Sequence, residues 1–295
     1  MSLTTKHYGI IVGVDGSPAS DAAVSWAAHD AVMRGVPLTL MHVQDPAART
    51  WSHAKELEEV AGWHKAQGHG ILANASKIAH EITKDTSQIT INGELQFSAP
   101  GPTLVDRSED AELIVVGTDG RGALARGLLG SVSSGLVRHA RCPVAVIHDE
   151  ELRMPHPTQA PVLVGVDGSS ASDLATGIAF DEASRRRVSL TALRAWSDRE
   201  VVELPGVNWP AVKAEEERLM SEALAGWQER HPDVTVNKLL VCDHPARALV
   251  ETSQSAQLVV LGSHGRNALA RTFLGSVSNA VVQSVRVPVI VARPA

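Results

Sequence analysis

Aromatic residues are scarce: one Tyr, three Phe and six Trp amount to 3% of 295 residues. Little is available for stacking bases, and the core has to be built from Ala, Val, Leu and Ile. Cysteine is almost absent, with only Cys142 and Cys242, neither in a C-x-x-C pair. That excludes a disulfide-dense scaffold and a cysteine zinc site. A basic excess is missing too. The net charge is −6, with −5 over residues 1–150 and −1 over 151–295. Neither half carries the electrostatic footprint of a nucleic-acid-binding protein. No apolar run approaches the roughly 18 residues of a membrane span. The first such run, in MSLTTKHYGIIVGVDGS, is short and broken by Gly13 and Asp15, unlike a secretory leader. These absences lead to the expectation of a cytoplasmic protein with no nucleic-acid and no membrane partner.

What the sequence does contain is a repeat. Ile11-Val-Gly-Val-Asp-Gly-Ser17 returns as Leu163-Val-Gly-Val-Asp-Gly-Ser169, and Leu113-Ile-Val-Val-Gly117 returns as Leu258-Val-Val-Leu-Gly262. Gly130-Ser-Val-Ser133 and Pro143-Val-Ala-Val146 recur at 275–278 and 288–291. The early offset of 152 falls to 145, so the second copy lacks seven residues in its middle. The expected domains are 1–150 and 161–295. The polar, proline-bearing segment 151–160 is the linker, because Pro withholds a backbone donor.

Short Val/Ile/Leu runs alternate with amphipathic stretches in each copy. Such runs suit strands of a parallel sheet buried on both faces, with helices as crossovers. Strands are predicted near 9–15, 37–43, 89–96, 113–117 and 143–148, and helices near 18–34, 55–84, 101–110 and 131–140. The second copy repeats the pattern, with strands near 162–167, 188–195, 234–241, 258–262 and 288–292. The fold class expected is α/β: two tandem doubly wound domains, each a five-stranded parallel sheet flanked by helices.

Ligands of such sheets bind beyond the carboxyl ends of the strands. Asp15 and Asp167 close the first strand of each copy. After the fourth strand the copies read Gly117-Thr-Asp-Gly120 and Gly262-Ser-His-Gly265, then nine residues, then Gly130-Ser131 and Gly275-Ser276. Glycine lets the backbone approach a ligand, and a helix N-terminus offers free N–H groups with partial positive charge. The first turns, Ser131, Val132 and Ser133 and their equivalents Ser276, Val277 and Ser278, would supply those amides, with the serine hydroxyls as further donors. Arg121 and Arg126, like Arg266 and Arg271, could offset phosphate charge. No Gly-Lys-Ser/Thr ends the loop, so it is not a P-loop, and no G-x-G-x-x-G follows the first strand. Asp15 suits ribose hydroxyls or a magnesium ion better than phosphate.

These residues resemble the universal stress protein family, whose nucleotide-binding members carry G-x2-G-x9-G-[S/T] after the fourth strand and an Asp closing the first. Both copies match every fixed position, and nearly the whole chain is covered. The tandem arrangement is similar to two-domain members from mycobacteria and related actinobacteria. The resemblance implies a Rossmann-like, adenine nucleotide alpha hydrolase-like domain that binds ATP, with Mg2+ arriving through the nucleotide. It places adenine near the end of the second strand, by position at Val43 and Ala195. It also implies pairing through the last strand, an internal pseudo-dimer, a homodimer of whole chains, and a regulatory protein partner.

Other uses of these residues weigh less. Asp-Gly-Ser after a strand is also an ordinary helix cap. Thirteen His contain no H-E-x-x-H, and His64 and His69 are off one-face helical spacing, so no metal site is expected. No serine sits in a G-x-S-x-G elbow. Cys142 reads as a small core residue. The tryptophans at 26, 51, 63, 196, 209 and 227 are expected to pack helices, with Trp51 and Trp209 also able to line a site. Asp119 faces His264 in the second copy, so the second site is expected to bind phosphate at least as well. Two further readings stay open: a slow nucleotide-hydrolysing or nucleotidyl-transferring enzyme, and an ATP-independent oligomeric adaptor. Adenylylating relatives of this architecture use a Ser-Gly-Gly loop where this chain has Val14-Asp15-Gly16-Ser17.

Overall fold

The computed structural model describes residues 8–45, 54–86, 89–118, 129–148, 159–196, 208–265 and 274–294. The chain divides into two compact units that part between Leu152 and Arg153. Most of the expected linker, together with Asp119, Gly120, the loop arginines 121, 126, 266 and 271, and Trp51, lies outside the described residues.

In the first unit the strands are β1 (Ile10–Gly13), β2 (Leu38–Gln44), β3 (Ile91–Phe97), β4 (Leu113–Gly117) and β5 (Val144–Ile147). Their order is β3-β2-β1-β4-β5, and every pair is parallel. The helices are α1 (Pro18–Arg34), α2 (Ala54–Thr83), α3 (Pro100–Arg107) and α4 (Ser131–His139). The predicted third helix ends early: 108–110 form a single 3-10 turn, whose Ser108 side chain accepts from the Arg141 amide at 2.8 Å. Helix α1 packs on α2, and α3 packs on α4. Helices before and after the reversal in strand order therefore cover opposite faces, as right-handed crossovers require.

The second unit repeats this with β6 (Val162–Gly165), α5 (Ser170–Arg186), β7 (Leu190–Trp196), α6 (Trp209–Arg230), β8 (Val236–Cys242), α7 (Pro245–Ser253), β9 (Leu258–Gly262), α8 (Ser276–Ser284) and β10 (Val289–Ala292). Its strand order is β8-β7-β6-β9-β10, again parallel. The central strands β1, β4, β6 and β9 are buried on both faces, which is why their sequences are unbroken apolar runs. The outer strands β3 and β8 are half-buried or exposed throughout, and each carries a charged residue, Glu94 or Lys238.

The first helix of each unit starts from a serine cap. The Ser17 side chain accepts from the Ser20 amide, and Ser169 from the Ser172 amide, both at 3.2 Å. Pro18 occupies the first turn, where its missing N–H costs nothing. Cys142 is fully buried. Trp26 is buried as expected, but Trp63 is 61% exposed and packs only edgewise on His64 among its described ring contacts. The expectation that it packs helices is therefore corrected: α2 turns it to solvent.

Candidate functional site

Strand order reverses at β1 and β4, and their carboxyl ends open a cleft of about 270 Å3. Seven sequence-selected residues line it together: Asp15, Val43, Gly117, Gly130, Ser131, Val132 and Ser133. The polar end is Asp15. The apolar wall is built from Met41, Val43 and Val116 on the sheet and from Leu104 on α3. Sequence reading missed the strand residues Gly13, Met41 and Val116, and it missed Pro100 and Leu104 because the face that α3 turns to the cleft is decided by packing.

Asp15 leaves the sheet by way of Gly16, whose φ of 77° needs a residue without a Cβ. Its Oδ1 accepts from the Ser17 amide at 2.9 Å, so part of the carboxylate organises the turn into α1. Asp167 does the same with the Ser169 amide at 2.9 Å, after Gly168. Nearby Asp21 has its carboxyl raised above the ordinary carboxylate range by burial; the Asn74 hydrogen bond opposes this and the Asp15 charge adds to it.

Gly117 is held by steric fit. A Cβ there would lie 2.8 Å from the backbone carbon and the Cβ of Ala19, and one at Gly262 would lie 2.7 Å from the Ala171 backbone. The fourth strand therefore ends against the start of α1 or α5. The loop base is pinned by main-chain bonds. The Gly130 amide donates to Thr118 O at 2.7 Å, and the Gly275 amide to Ser263 O at 2.8 Å. Ser133 and Ser278 donate their hydroxyls to Gly117 O and Gly262 O at 2.6 Å. Both bonds tie the first turn of the helix to the end of the fourth strand. Ser131 and Ser276 remain exposed at the first helical position.

Helices α4 and α8 start at Gly130 and Gly275, and no side chain caps either. An uncapped N-terminus keeps its amides and partial positive charge for another acceptor. In the second unit a Cβ on Gly265 would come 2.8 Å from Asp167 Oδ2, so carboxylate and loop are in contact there. Ser169 Oγ donates to His264 O at 3.4 Å, and the His264 ring lies 3.0 Å from Ser263 Oγ through Nδ1. Ala195 stands on β7 where Val43 stands on β2. No group of three or more His, Cys, Asp or Glu able to hold a metal occurs among the described residues.

The sequence model of the universal stress protein family matches residues 9–148 and again 160–293. The chain belongs to the universal stress protein family. Universal stress proteins of Mycobacterium bovis and Mycobacterium tuberculosis are 57% identical to it over 293 residues, covering 99% of each chain. A further universal stress protein of Mycobacterium tuberculosis is 53% identical over the same length. Among solved structures, a universal stress protein from Archaeoglobus fulgidus superposes with a TM-score of 0.74 at 18% identity, over 99% of this chain and all of that one. That likeness concerns the fold.

Proposed function

We propose that this universal stress protein is a regulatory ATP-binding protein with one nucleotide site in each unit and little or no turnover. One observation carries the reading: a carboxylate and an uncapped helix N-terminus meet at the switch point, and equivalent residues build the arrangement twice. The residues fit ATP. The amides at 131–133 and 276–278 would take phosphate oxygens, with Gly117, Gly120, Gly130, Gly262, Gly265 and Gly275 shaping the loop. Asp15 and Asp167 would accept from ribose hydroxyls or help hold the Mg2+ that ATP carries. Val43 and Ala195 would border adenine. Bound nucleotide supplies a charge-dense group whose presence a partner protein can read.

The domains in this reading are 1–150 and 161–295, joined by 151–160, and the chain works in the cytoplasm as a homodimer. Two cysteines in no disulfide, and no helix among the described residues long and apolar enough to cross a membrane, agree with it. A second reading, slow hydrolysis in the second unit, is favoured by the His264 ring held on Ser263.

Nucleotide released from the purified protein on denaturation tests the proposal. Intact ATP persisting for hours, lost from the Asp15→Ala/Asp167→Ala double variant, is the expected result. Steady ADP formation that stops in His264→Asn would establish the hydrolase. No nucleotide and no binding would leave the oligomeric adaptor.

A further inference from the structure

One described strand position in each unit buries an ionisable side chain. On β2 it is His42, 8% exposed, and on β7 it is Arg194, 2% exposed. The two are equivalent, since β2 and β7 enter the same register with their neighbours, Leu38 beside Ile10 and Leu190 beside Val162. A buried polar side chain costs free energy unless it is hydrogen-bonded or paired. Both are satisfied, and both reach towards the strap that carries the site carboxylate.

The main-chain ladder shows what they hold. The Val14 amide still donates to Met41 O at 2.9 Å, and the Val166 amide to Leu193 O at 2.8 Å. One step further the chain leaves the sheet and turns up to Asp15 or Asp167. In the first unit the His42 ring takes over there, its Nδ1 2.7 Å from Val14 O. In the second unit the Arg194 guanidinium lies beside the strap without a hydrogen bond to Val166 O, its Nη1 3.9 Å from where a Cβ on Gly168 would stand. The helix outside each strand is matched to its partner. Gly68 on α2 leaves room, since a Cβ there would come 3.1 Å from His42 Cδ2. Glu216 on α6 instead supplies a carboxylate to Arg194 Nε.

We infer that His42 and Arg194 are positioning residues for the site carboxylates, each fixing the strap of its own unit through a different chemistry. The inference rests on the nucleotide-binding reading. The first strap is held by an imidazole on Val14 O, and the second lies beside a guanidinium paired with Glu216. Neither residue contacts the ligand; each acts through Asp15 or Asp167 on the ribose side of the nucleotide.

The test measures ATP affinity of each site in the full chain, the other site being silenced by Asp15→Ala or Asp167→Ala. Arg194→Met keeps the volume and removes the charge. It is expected to weaken the second site tenfold or more and to leave the first within twofold. Arg194→Lys, which keeps charge without the planar fork, should recover part of the loss. His42→Ala gives a parallel test that does not depend on Arg194→Met folding, and it should weaken the first site alone. A purely structural role predicts a lower melting temperature with affinities unchanged, or equal losses at both sites; either result overturns the inference. A wild-type chain that binds no nucleotide at either site overturns the underlying reading instead.

Discussion

Gly117 carries its role in the atom it lacks. Adding one methyl group would place carbon 2.8 Å from both the backbone and the side chain of Ala19, and neither is the far end of a flexible side chain. Gly117→Ala is therefore expected to cost about 1–3 kcal/mol, the usual range for overpacking. Urea unfolding of this variant and of Gly262→Ala should show similar losses, since Gly262 meets Ala171 in the same way. Asp21 offers an electrostatic prediction. Burial, reinforced by Asp15, makes its folded carboxyl hold the proton more tightly than the unfolded one. Its contribution to stability therefore declines as pH rises from the ordinary carboxylate range through the raised value, and is fully lost above it. Carboxyl NMR titration should find Asp21 titrating high in the wild type and moving down in Asp15→Asn. An unchanged titration would remove Asp15 from the account of Asp21.

At the scale of elements, the two first helices end differently. Helix α1 stops at Gly35 with φ of 67°, whereas α5 stops at Arg187 with φ of 55°, and both amides return to carbonyls of the last turn. Left-handed backbone is strained for any residue with a Cβ, by roughly 1–2 kcal/mol. Arg187→Gly should therefore stabilise the second unit, by about 1 kcal/mol or less once the freer unfolded glycine is counted. Chemical denaturation would show it as a higher midpoint with unchanged slope.

These elements were largely legible in the sequence. Unbroken runs such as Leu113–Gly117 are what a strand buried on both faces requires, and Ser17-Pro18 marks a helix start. Less legible were features decided across the fold. Leu104 reaches the cleft only because α3 lies over β2, and the Ser133 hydroxyl turns back to Gly117 O because the loop closes there. His42 and Arg194 read as interruptions of apolar strands, and their purpose depends on Val14, Gly168 and Glu216, which are distant in sequence or lie on another element. Trp63 had no signal to distinguish an outward from an inward helix face.

For the whole molecule, duplication is the organising fact. Two units share topology, capped first helices, pinned loop bases and uncapped α4 and α8 starts, while differing at His42 and Arg194 and at the loop position of His264. The central claim is one nucleotide site per unit. Native mass spectrometry of the full chain with ATP measures it directly. The account predicts two nucleotides per wild-type chain, one in Asp15→Ala, one in Asp167→Ala and none in the double variant. A stoichiometry that the two substitutions leave unchanged would contradict it.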